Sequence, residues 1–149
     1  MVNDGRWGPI AQTIKDTYNL NTARVLQVAA HKGFLLMELF KRGMRVRGTE
    51  TSRYAASQSP LRLDIAPFTE LPYPDESFDF VIGASCVYTL NLADAIQCLR
   101  EIQRVSKGQA WVTLGAMEDD NDIEGLILLR RWFILGTTIL TKSDWIEVM

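Results

Sequence analysis

Residues 25–33 read VLQVAAHKG, and the fold turns on how this stretch is taken. Val25 to Val28 is a short apolar run of the kind that forms a buried strand. A turn follows and ends at Gly33. Beyond it Phe34, Leu35, Met37, Leu39 and Phe40 recur with the spacing of an amphipathic helix. Strand, loop and helix in that order make a nucleotide cradle, whose glycines let backbone N–H groups approach a ligand at the helix N-terminus. Only the last glycine of such a loop is present. Ala29 and His31 stand where a cradle wants no side chain. The stretch has the layout of a cofactor-binding plan with its contacts partly removed.

Outward from this stretch, strands and helices alternate. Pro9 opens a helix predicted over Ile10 to Tyr18, and Arg24 to Val28 is the first strand. The second helix, Gly33 to Arg42, stops at Gly43, and Arg45 to Thr49 is the second strand. Ser52 is placed to cap a short helix, Arg53 to Ser57, which Pro60 ends. Leu61 to Leu63 reads as a brief third strand. The proline-punctuated segment Thr69 to Asp79 delivers the chain into FVIGASC, a fourth strand apolar on both faces. Ala93 to Val105 is helical, Ala110 to Leu114 is a fifth strand, and the acidic run Glu118 to Asp122 leads into a helix over Ile123 to Leu135. This order predicts a doubly wound α/β fold with a mostly parallel sheet of about five strands.

The 149 residues suffice for one domain, with a core over 22–115 and an apolar, helical tail over 116–149. A net charge of −2 argues against a nucleic-acid binder, which carries a basic surplus. Two cysteines make no disulfide framework and fit a cytoplasmic protein, with Cys86 and Cys98 read as buried small hydrophobes. Arg130 and Arg131 interrupt the longest apolar stretch, so no membrane span is expected. His31 is the one histidine and has no partner at metal-ligand spacing, so no metal site is expected.

Four pieces in order carry a resemblance: VLQVAAHKGFLLMELFKRGMRVRGTETSRYA, ELPYPDESFDFVIGASCVYTL, AIQCLREIQRVSKGQAWVTL and, more faintly, LTKSDWIEVM. Together they resemble the class I S-adenosylmethionine-dependent methyltransferases (type 11-like), most closely from Ala23 to Leu114. The resemblance implies a Rossmann-like sheet and an S-adenosylmethionine site. The family's first strand ends in an acidic residue followed by alternate glycines. Here Gln27 replaces the acid, Ala29 and His31 replace two glycines, and Gly33 keeps the third. A Cβ in left-handed backbone costs about 1–2 kcal/mol. With the lost charge, the penalty reaches several kcal/mol, and each ~1.4 kcal/mol is a tenfold loss of affinity. Cofactor binding is therefore expected to be weak or lost.

Other implied positions are better kept. Glu50, ending the second strand, matches the acid that holds ribose hydroxyls, or is simply an exposed acid at a strand end. Asp64 matches an acid near adenine, although its spacing to LPYPD is longer than in the family. Ser85 belongs to the cofactor site, and Cys86, Tyr88 and Asn91 follow at the mouth of the sheet. Tyr88 is the candidate catalytic residue, against its reading as a packed aromatic. Asp79 is read as structural. The family's last two strands are not found, so the fifth strand is expected either to be the sheet edge or to be covered by something else. The surplus of apolar residues in the tail suggests an association surface. Two functions follow. One is a non-catalytic or activating subunit of a heteromeric methyltransferase, pairing with a related subunit or a second copy through the apolar tail. The alternative is an active small-molecule methyltransferase with an unorthodox cofactor loop.

Overall fold

The computed structural model describes residues 5–132 and 136–149. The first helix, α1 (Trp7–Thr17), begins before Pro9, because a proline in the first turn removes no N–H that the helix would use. Strand β1 (Arg24–Val28) is followed by helix α2 (Phe34–Lys41) and strand β2 (Arg45–Glu50). Helix α3 (Arg53–Ser57) is capped as expected, with Ser52 Oγ accepting the Ala55 N–H. Strands β3 (Asp64–Ile65) and β4 (Phe80–Gly83), helix α4 (Leu92–Val105) and strand β5 (Ala110–Val112) complete the alternation. The five strands are parallel in the order β3-β2-β1-β4-β5, so β5 is an edge. Strand order reverses between β1 and β4, which places the topological switch point above their C-terminal ends.

The third strand lies three residues beyond its expected position over Leu61 to Leu63. Leu63 is buried against Ala30 and Leu36, with Leu61 packed beside them, so these leucines fill the space under α2. Pairing with β2 falls to the residues that follow, Asp64 with Thr49 and Ile65 with Glu50. Gly48 makes this closure possible, since a Cβ there would lie 2.8 Å from both Leu36 and Leu63.

Each face of the sheet carries its own core. Val25, Phe80 and Ile82 meet Ala11, Ile14, Leu35 and Leu39 of α1 and α2. Leu26, Val28 and Val81 meet Ala95, Cys98, Ile102 and Val105 of α4, with both cysteines buried. The connection from β3 to β4 has no helix and is held by ionic clamps instead. Glu101 accepts the Leu71 N–H and the Arg104 guanidinium, each at 2.7 Å. Arg104 also donates to the carbonyls of Leu71 and Tyr73 and to Asp75. Asp79 accepts the Arg24 N–H at 2.7 Å and Lys107 Nζ at 2.9 Å, the structural role expected of it. Arg104 holds the Glu101 carboxyl below the usual carboxylate range, and the Arg24 N–H with Lys107 does the same for Asp79.

The tail is less helical than expected. Strand β6 (Gly115–Met117) pairs in parallel with β7 (Ile139–Thr141), with helix α5 (Ile123–Trp132) between them. Asp122 caps α5 through the Gly125 N–H, as the acidic run suggested. The end of the expected helix, 133–135, lies outside the described residues. Helix α6 (Lys142–Val148) starts with a capping box, Thr141 with Asp144. It inserts Trp145, whose Nε1–H donates to the Gly115 carbonyl, into the α4-side core. No helix among the described residues is long and apolar enough to cross a membrane.

Candidate functional site

The loop from β1 into α2 keeps the backbone shape of a glycine loop. Ala29, His31 and Gly33 all have positive φ, at +56°, +52° and +67°. Left-handed backbone at alternate residues is what glycines would supply freely, and two of the three residues here carry a side chain. A Cβ on Gly33 would meet Ser59 Oγ, so the serine side chain would have to turn away. The loop amides are engaged within the fold. Ala30 N–H donates to the Thr49 carbonyl at 2.9 Å, and Gly33 N–H to the Ala30 carbonyl at 2.8 Å. His31 N–H donates to Glu50 Oε2 at 2.8 Å.

Glu50 is only 4% exposed, so it is not the surface acid of the simpler reading. Its other oxygen, Oε1, accepts the N–H groups of Thr51 and Ser52 at 2.9 and 3.0 Å. Three backbone donors thus converge on one carboxylate, with His31 Nδ1 a further 3.9 Å from Oε2. A carboxylate offers about four lone-pair sites, so little capacity is left for a ribose diol.

At the switch point lies a cavity of about 120 Å³. Gln27, His31 and Ser85 line it, which brings three of the expected site residues together. Trp7, Lys32, Phe34 and Trp111 contribute walls that the sequence reading did not assign to the site. Gln27 is buried, and its Oε1 has no hydrogen-bond partner among the described residues; Trp7 Nε1 is in the same position. Buried polar atoms left unpaired are costly, and they mark places where a ligand or water belongs. The cavity is well below the roughly 300–1,000 Å³ typical of sites for drug-sized ligands.

The remaining residues go elsewhere. Asp64 Oδ2 accepts the Tyr73 hydroxyl at 2.7 Å and lines a separate groove beside Arg47. Burial first, and then the Asp64 carboxylate, push the Tyr73 hydroxyl well above its usual range. Asn91 caps α4 through the Asp94 N–H. Tyr88 stands outside the cavity, and its carbonyl accepts the N–H groups of Thr137 and Thr138, tying the mouth of the sheet to the tail.

Residues 26–114 match the family model described as a methyltransferase domain. None of the curated proteins matches the sequence significantly. Among solved structures, YcgJ of Bacillus subtilis superposes with a TM-score of 0.73 at 19% identity, over 93% of this chain and 64% of its own. The BH2331 protein of Bacillus halodurans gives 0.76 at 16% identity, over 95% and 67%. A protein of Thermotoga maritima described as an S-adenosylmethionine-dependent methyltransferase gives 0.68 at 18%, over 97% and 70%. At these identities the likeness speaks for the fold. The chain spans about two thirds of the length of these structures.

Proposed function

This chain belongs to the methyltransferase-domain family, and from that premise we propose that it is a non-catalytic or activating subunit of a heteromeric S-adenosylmethionine-dependent methyltransferase. The family implies that cofactor, and the residues present fit it poorly. The observation that carries the reading is a Glu50 already engaged by three backbone amides, together with side chains at two left-handed positions of the loop. A ribose diol would compete with those amides, and His31 lines the cavity beside the loop, while Ala29 buries its methyl in the α4-side core. Partnering is supported by Ile123, Ile127 and Leu128, which expose apolar surface on α5, and by Ile146 and Met149 at the C-terminal helix. The partner would be a related methyltransferase subunit or a second copy.

Calorimetric titration with S-adenosylmethionine and its demethylated product tests this reading. No saturable heat at micromolar ligand is expected from the chain as it stands. The variant Gln27→Asp/Ala29→Gly/His31→Gly is expected to bind about two to three orders of magnitude more tightly. Micromolar binding by the unaltered chain would overturn the proposal. It would favour the second reading, an active small-molecule methyltransferase, for which the unpartnered Gln27 Oε1 and Trp7 Nε1 speak. Under that reading the pair would meet the ligand, and Tyr88 would help position the methyl acceptor. Methyl transfer asks chiefly for in-line positioning, so no acid–base cluster would be needed.

A further inference from the structure

At the opposite end of the strands from the loop, Arg24 and Arg45 open β1 and β2 and are partners in register. Neighbouring strands lie about 4.8 Å apart, and register partners in a parallel pair point to the same face. Arg47 follows two residues along on that face. All three line a groove of about 630 Å³ between the α4-side face of β1 and β2 and the 72–78 loop, with Pro72, Tyr73 and Ser77 as the opposite wall. Like charges placed side by side on a sheet destabilise it. This happens in a chain whose net charge is −2, so no general basic surplus accounts for it.

The nearby carboxylates offset only part of the cluster's charge. Asp79 is 3.7 Å from Arg24 Nε but is bonded to Lys107 and to a backbone amide. Asp64 is 4.0 Å from Arg47 and accepts the Tyr73 hydroxyl. Arg45 forms no ion pair among the described residues. Among the groove's lining residues three guanidiniums face one carboxylate, that of Asp64, which leaves the groove net positive, open to solvent and of ligand size. We infer that this groove binds the phosphate groups of a small phosphorylated molecule, at a site separate from the cofactor loop. The guanidinium fork matches phosphate oxygens in pairs, and a bound anion removes the repulsion that the register imposes. Ligand sites of open α/β sheets lie at the C-terminal ends of the strands, so this groove lies apart from the usual place.

The test is calorimetric titration of the full chain with inorganic pyrophosphate at about 50 mM salt, where screening is modest. Saturable one-to-one binding is expected. Arg45→Gln and Arg47→Gln should each weaken it roughly tenfold, with unchanged circular dichroism, while Arg131→Gln on α5 leaves it intact. Absence of saturable heat, or equal weakening by Arg131→Gln, overturns the inference. A parallel sedimentation with phosphatidic acid vesicles separates the two sources of phosphate. Pyrophosphate binding without vesicle capture supports a free ligand, and vesicle capture that pyrophosphate does not compete with overturns it.

Discussion

The loop after β1 and the loop before β4 flank the same central strands, and the chain treats them in opposite ways. In the first, positions suited to glycine hold Ala29 and His31, and the acid that would receive a ribose is filled by amides of its own backbone. In the second, Leu71, Tyr73, Asp75 and Asp79 are each gripped by α4 or its flanks through Glu101, Arg104 and Lys107. The difference separates two kinds of requirement. Ionic contacts hold the second loop to α4, whereas the first keeps its left-handed backbone under two side chains.

Breaking the second loop should have the largest effect on stability. Arg104→Ala leaves the buried Glu101 carboxylate without its main partner and frees two carbonyls, so a loss of about 3 kcal/mol is expected in urea unfolding. The first loop should be asymmetric. Gly33→Ala adds left-handed strain and a clash with Ser59, for a loss of about 2 kcal/mol by the same assay. Ala29→Gly relieves strain but vacates a buried methyl, and should fall within about 0.5 kcal/mol of the parent.

Acid titration sharpens the contrast further. The folded-state pKa values of Glu101 and Asp79 lie below their unfolded values. Their contribution is therefore fully present above the ordinary carboxylate pKa, near 4, and is lost as pH falls through the lower, folded value. Thermal midpoints measured from pH 6 down to 2.5 should drop, and Glu101→Gln should flatten part of that drop. A small effect of opposite sign belongs to Thr49, whose buried hydroxyl has no partner among the described residues. Thr49→Val should be neutral or stabilising by up to about 1 kcal/mol, read from the denaturation midpoint.

Much of the fold was legible because local signals and tertiary demands agree there. The apolar run of β1, the Ser52 cap and the glycine that ends the loop each have one good structural solution. Leu61 and Leu63 misled because apolar character marks burial, and burial under α2 satisfies it as well as pairing would. The three-residue strands β6 and β7 are too short to show an alternation of their own. At the site, Gln27 and His31 lie together because the strand–loop–helix plan fixes their positions, and Ser85 joins them because it follows β4, the parallel neighbour of β1. Asp64 went to Tyr73 because the longer connection to LPYPD sets where that ring arrives. The arginine groove was invisible for a different reason. Register between strands is a property of the sheet, and no linear spacing places Arg24 beside Arg45.

Trp145 has a consequence for how the molecule opens. It sits in the same core as Leu26, Val28 and Val81, although 117 residues separate it from Val28 by subtraction (145 − 28). The short β6–β7 pair is too small to hold a structure alone, so the indole joins its fate to that of the central sheet. Amide exchange at the C-terminal helix, ordinarily a record of local fraying, therefore becomes a clock for the opening of β1 itself.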